Sequence, residues 1–313
     1  EGLRSADFYF TDQNTVKLKL YNKWYQVNLI DYLVNTTTDA NAVKYNGSDR
    51  LQRNQSRWEG RRNARKSPDG KSEIKITGGN IFIIDLLSKL ETPLTTNGTV
   101  EQPYGNFEWS PDGKNIIAYK IDPKKTKQVH YVLSSVQGTT RGELKSREYD
   151  QPGDEITTYE PFIFNIANRK IIKIDGEKID FFQPRTLHWR NNSNRYFTYE
   201  KVDRGHQRFR VIEVDVETGK TRNIIDEQTK TFIYESRSYT RYLQETDEII
   251  YASEQDGWRH LVFIDAITGK QNLITKGNWV VREIDSVDAV KRQIWFRASG
   301  MHKDEDPYFI HYY

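Results

Sequence analysis

The chain has 313 residues, 47 basic and 44 acidic side chains for a formal net charge of +3, 13% aromatic residues and no cysteine. That length buries a large core, as one big β domain or two ordinary ones. The near-balanced charge leaves no global field toward nucleic acid or a membrane surface. Without cysteine there are no disulfides, thiol nucleophiles or thiolate metal sites. No stretch reaches the ~18 apolar residues of a membrane span. The chain begins at Glu1 with no signal-peptide pattern, so a mature or trimmed chain is expected.

Strand-like runs follow one another from end to end. In chain order they are DFYF (7–10), TVKLKLY (15–21), KWYQVNLID (23–31), NIFIIDLL (80–87), NIIAYKID (115–122), HYVLSS (130–135) and FIFNIA (162–167). RYFTYEKV (195–202), FRVIEVD (209–215), EIIYASE (248–254), HLVFID (260–265) and QIWFRAS (293–299) complete the series. Many alternate apolar and polar residues, the period-2 pattern of half-buried strands. Turn sequences separate them: SPDGK at 67–71 and 110–114, ETGK at 217–220 and ITGK at 267–270. No long 3.6-period segment occurs; one short helix is expected near 137–150.

Repeats decide between a sandwich, a barrel and a propeller. The two SPDGK turns lie 43 residues apart, Trp109 and Trp189 open similar units 80 apart, and IEVDVETGKTRNI (212–224) matches VFIDAITGKQNLI (262–274) 50 residues on. A module of roughly 40–50 residues suits one four-stranded propeller blade. Six blade-like units are expected, at about 4–35, 55–98, 105–176, 185–226, 231–276 and 280–313, forming a single all-β propeller domain over 1–313. With units missing, the whole ring would hold about six to eight blades. The third unit is long because the polar loop 138–159 interrupts it, and the last is expected to be cut short at Tyr313.

Motifs that carry chemistry are absent from the reading. There is no Gly-x-Ser-x-Gly elbow, no zinc spacing among the six histidines, no phosphate loop and no dinucleotide fingerprint. HKDEDP (302–307) lacks EF-hand spacing and reads as a solvated acidic loop. RRNARK (61–66) reads as a local charged face. Sequons at Asn35, Asn46, Asn54, Asn97 and Asn191 are at the level that chance gives in an Asn- and Thr-rich chain. No catalytic residue, metal ligand or cofactor is assigned.

One stretch is more specific. SEQDGWRHLVFIDAITGKQNLITKGNWVV (253–281), with FEWSPDGKNIIAYKID (107–122) and REYDQPGDEITTYEPFIFNIANRK (147–170), resembles the propeller of dipeptidyl peptidase IV-like serine peptidases of the prolyl oligopeptidase clan. The signature positions here are Trp109, Gly257, Trp258, His260, Gly277 and Trp279. The resemblance implies an N-terminal β-propeller that caps a separate α/β-hydrolase domain, limits access to short peptides and helps bind their amino termini. It implies a peptide substrate and the parent's own hydrolase domain as partners, a homodimer in the full-length protein, and a periplasmic or secreted location. Relatives carry a paired-glutamate motif before the WSPDGK blade, which grips the peptide ammonium. Here TNGTVEQPYGNFEWSPDGK (96–114) holds Glu101 and Glu108 but no pair. Glu101 is the positional substitute and Arg259 the second candidate substrate contact, whereas His260 and Trp258 read as packing residues at a blade interface. The alternative is a free-standing propeller that binds protein partners through its rim.

Overall fold

The computed structural model describes residues 7–20, 23–37, 65–125, 127–191 and 193–313. The sequons at Asn46 and Asn54, and 61–64 of the basic run, lie outside the described residues. Two units form, residues 1–56 and 57–313. In the first, β1 (Asp7–Asp12), β2 (Thr15–Leu20), β3 (Lys23–Asn28) and β4 (Val34–Thr37) make an antiparallel meander.

In the second unit the meander recurs. The sheets are β5 (Ser72–Thr77), β6 (Asn80–Asp85) and β7 (Glu91–Pro93); β8 (Tyr104–Trp109), β9 (Asn115–Asp122), β12 (Thr158–Asn165) and β13 (Ile171–Lys173); and β14 (His188–Trp189), β15 (Tyr196–Val202), β16 (Arg208–Asp215) and β17 (Thr221–Gln228). Then come β18 (Thr240–Leu243), β19 (Glu248–Ser253), β20 (His260–Asp265) and β21 (Gln271–Leu273), and last β22 (Val280–Asp288), β23 (Gln293–Ser299) and β24 (Ile310–Tyr312). Pairing is antiparallel throughout, so the chain is an all-β propeller of antiparallel blades. The sheet of β5 gains a minimal fourth member through the Lys66–Glu73 bridge.

Two turns recur among the blades. In the inner one, Ser110 Oγ donates to Asp112 Oδ1 at 2.7 Å and accepts the Asn115 N–H at 2.9 Å. Ser67 repeats this with Asp69 and Ser72 at 2.6 and 2.9 Å. The outer turn starts at Asp85, Asn165, Asp215 and Asp265, whose N–H groups reach the carbonyl five residues on at 2.9–3.0 Å. Its fifth residue is left-handed: Lys89, Arg169, Gly219 and Gly269, with φ from 57° to 75°. Glycine suits that conformation, so the two TGK turns are legible in the sequence. The Lys89 and Arg169 turns are the same structure without that signal.

The helix expected near 137–150 is not formed. β11 (Glu143–Glu148) pairs with β10 (Gln128–Leu133) in an exposed two-stranded arm inserted between β9 and β12. Gly138, Gly142 and the Thr139–Thr140 pair disfavour a helix, and no apolar stripe repays one. The interruption of this blade therefore begins soon after Asp122, and the HYVLSS strand belongs to the arm. The only helical segment among the described residues is a 3-10 turn, Glu235–Arg237.

β15 and β16 are buried on both faces, because a blade packs between two neighbours. Val214 and Ile212 face the preceding sheet with Ile117, Ile163 and Phe197, while Val211 and Phe209 face the next with Ile249 and Ile264. Burial on both faces also traps polar side chains, and most find partners. Glu200 meets Arg185 at 3.1 Å, with both side chains under a tenth exposed. Glu213 pairs with Arg190 and, at 2.6 Å, with Arg222. Arg222 also donates to the Ala266 and Ile267 carbonyls of the next sheet, at 2.7 and 2.9 Å.

Candidate functional site

The signature residues after β19 assemble around His260, which is 2% exposed at the start of β20. Thr275 Oγ1 accepts the Leu261 N–H at 2.9 Å and lies 3.1 Å from His260 Nδ1; His260 Nε2 lies 2.8 Å from the Gly277 carbonyl. The hydroxyl proton therefore serves Nδ1, and the ring proton, assigned to Nε2 by this bonding, goes to the carbonyl. Trp279 stands edge-on to the imidazole at 4.8 Å. Gly277 has φ 129°, and a Cβ there would lie 2.6 Å from the Trp279 indole nitrogen. His260, Gly277 and Trp279 are thus one interlocked clasp.

The clasp has an earlier copy that sequence reasoning missed. Thr95 Oγ1 accepts the Ile81 N–H at 2.9 Å and donates to Asn80 Oδ1 at 3.0 Å, while Asn80 Nδ2 donates to the Gly98 carbonyl at 2.9 Å. Asn80 and Thr95 sit 180 residues before His260 and Thr275. The swap of His for Asn, and one extra residue between Thr and Gly, hid the repeat. An asparagine doing the same bonding gives His260 a purely structural chemistry: a donor and an acceptor held at fixed positions.

Gly257 and Trp258 form the tip of the β19–β20 hairpin. Gly257 has φ 90° with open space where a Cβ would stand. Trp258, expected to fill a blade interface, is 41% exposed instead, because the left-handed glycine turns the chain outward just before it. Trp109 is buried, and its indole N–H donates to the Arg65 carbonyl at 3.3 Å.

Arg259 borders a cleft of about 230 Å³ between the β17–β18 connection and this hairpin. Its guanidinium donates to the Val281, Arg282 and Arg237 carbonyls at 3.0–3.1 Å, tying the hairpin to β22 and to the 3-10 turn. Glu101 lies exposed in the Thr99–Gln102 turn, and the structure does not bring it to that cleft. Glu108 is turned to the neighbouring sheet, where its Oε2 accepts the Leu187 N–H at 3.4 Å. The two glutamates of the 96–114 stretch therefore do not form a pair.

A second charged cluster caps β15 and β16. Lys201 and Arg210, both nearly fully buried, converge on Glu177 and Asp203, with Lys201–Glu177 at 3.0 Å and Arg210–Glu177 at 2.8 Å. The Arg210 and Lys201 hydrogen bonds hold the Glu177 carboxyl down at about 2. Among the described residues, a serine–histidine contact occurs at Ser146 and His130 (2.7 Å), on the exposed arm with no carboxylate against the ring. No group of three or more His, Asp or Glu among the described residues has metal-holding geometry. No helix among the described residues is long and apolar enough to cross a membrane.

The dipeptidyl peptidase IV (DPP IV) N-terminal region family matches residues 31–313. A probable dipeptidyl peptidase 4 of Aspergillus flavus is 22% identical over 272 residues, which is 77% of this chain and 34% of that protein. Dipeptidyl peptidase 4 of Trichophyton rubrum is 26% identical over 117 residues, 36% of this chain and 15% of that protein. Among solved structures, dipeptidyl peptidase 4 of Porphyromonas gingivalis aligns over 94% of this chain and 40% of its own, with a TM-score of 0.50 and 16% identity, a likeness of fold. The chain thus spans about a third of the length of the Aspergillus relative. A family match over nearly the whole chain, on a propeller carrying the clasp of His260, Gly277 and Trp279, makes this chain a member of the dipeptidyl peptidase IV N-terminal region family.

Proposed function

We propose that this chain is the non-catalytic propeller of a dipeptidyl peptidase IV-like serine exopeptidase, gating and helping to bind peptides for an α/β-hydrolase domain of the same protein. The family match over residues 31–313 carries this reading. Arg259 is the substrate-side contact best supported by position, since it borders the cleft beside the exposed Trp258. Glu101 is the weaker one, because it stands alone in its turn. The peptidase works in the periplasm or outside the cell, and the full-length protein is a homodimer.

The test pairs two proteins: this chain alone, and the same propeller in its full-length parent. A fluorogenic Xaa-Pro substrate is expected to be cleaved by the parent only. Arg259→Ala in the parent is expected to raise KM several-fold with kcat little changed, the mark of lost uniform binding. Turnover by the isolated chain, or a parent whose downstream sequence encodes no Gly-x-Ser-x-Gly elbow, overturns the proposal.

A further inference from the structure

Three glutamates are buried among the described residues: Glu200, Glu213 and Glu227. Glu200 and Glu213 each face arginines. Glu227 does not. It is 5% exposed on β17 and lines the cleft beside Arg259. One oxygen, Oε1, takes the Glu254 N–H in a long bond of 3.4 Å. The other, Oε2, is buried without a hydrogen-bond partner. A buried carboxylate oxygen with no donor is costly, and charged groups inside proteins are normally paired.

The cleft's own cations do not serve it. Arg259 directs its guanidinium to three backbone carbonyls. Arg237 stands exposed on the rim, where its carbonyl accepts from Arg259 and its N–H donates to the Tyr234 carbonyl. The rim also carries Phe232 and Tyr234, 55% and 54% exposed, whose rings suit a cation or the stem behind it. The cleft volume of about 230 Å³ fits one side chain or one terminal residue, below the usual range for a whole ligand.

We infer that this cleft receives a cationic group bearing N–H donors, an ammonium or a guanidinium, with Glu227 as its counter-ion. Binding turns the carboxylate toward the cleft, so that Oε2 gains the charge-assisted donor it lacks. Glu254 on the rim adds a second negative charge. The assignment rests on the unmatched carboxylate and stands whether or not the peptidase reading holds. A peptide's amino terminus and a lysine or arginine side chain share this chemistry.

Titrations of the 313-residue chain, followed by calorimetry and by the Glu254 amide resonance, separate these sources. The probes are Gly-Gly-amide with a free terminus, N-acetyl-Gly-Lys-amide with a side-chain ammonium, and neutral N-acetyl-Gly-Gly-amide. At least one cationic probe is expected to bind and shift the Glu254 resonance, with the neutral probe at least tenfold weaker; which of the two binds names the source. Glu227→Gln is expected to lose at least tenfold, while Glu143→Gln on the arm changes nothing. Equal binding of the neutral probe, no binding by either cation, or full affinity in folded Glu227→Gln overturns the inference. So does a bound cation that leaves the Glu254 amide unmoved, a readout that needs no variant.

Discussion

Replacing Gly219 and Gly269 by alanine, one at a time, separates what a turn requires from what its surroundings require. Both are the left-handed residue of an Asp-x-x-Thr-Gly-Lys turn, with φ of 73° and 75°. At either site alanine meets the same conformational penalty, about 1 kcal/mol or somewhat more. At Gly269 a Cβ meets nothing within 4 Å, so that penalty is the whole effect. At Gly219 a Cβ would lie 2.7 Å from the Lys173 carbonyl oxygen and 2.7 Å from Ile172 Cγ2. The carbonyl is backbone and cannot swing aside, so the sheet edges must part. Overpacking of this kind adds roughly 1–3 kcal/mol. Gly219→Ala should therefore cost about 2–4 kcal/mol against about 1 kcal/mol for Gly269→Ala. Urea unfolding with matched m-values measures the difference. Equal losses within about 0.5 kcal/mol would refute the claim that the neighbouring strand, not the turn, makes Gly219 necessary.

The same turn predicts gains elsewhere: Arg169→Gly and Lys89→Gly, at φ of 57° and 59°, should be neutral to stabilising by up to about 1 kcal/mol in the same unfolding assay. In the clasp, Thr275→Val strands the buried Leu261 N–H and should cost about 1–3 kcal/mol. His260→Asn, which imitates Asn80, should be tolerated better than His260→Ala in thermal melts; equal losses would break the equivalence of the two clasps. The Glu177 carboxyl is depressed from 4.5 to about 2. Its contribution is therefore present above pH 4.5 and lost as pH falls through about 2. With the side chain 58% exposed, solvent screening leaves no more than about 1 kcal/mol. Glu177→Gln should flatten the stability profile across that window, and an unchanged acid limb would show that the cluster holds without it.

The blade pattern was legible because a strand between two blades must alternate or be apolar throughout. VFID (262–265) and IEVD (212–215) announce that directly, as do SPDGK and TGK, whose glycines have one conformational purpose. Lys89 and Arg169 were not legible as the same turn. A left-handed lysine or arginine is held by the ladder around it, and nothing in its chemistry signals that. The arm was misread because residues 137–150 lack a strong period of either kind; pairing with β10 decided the strand.

His260 shows the same division in the candidate site. The sequence placed it in a signature with Gly277 and Trp279 and suggested packing. Only the fold brought Thr275 and the Gly277 carbonyl to opposite sides of the ring and revealed Asn80 as its counterpart. Composition and repeats determine that this chain is a β-propeller, since hydrophobic period and turn residues are local properties of the chain, while the family is carried by the signature around His260 and the match over residues 31–313. Which carboxylate meets an arginine, and that Glu227 meets none, was decided by tertiary structure alone, because partners such as Glu200 with Arg185 and Glu213 with Arg190 join sites set by how sheets stack.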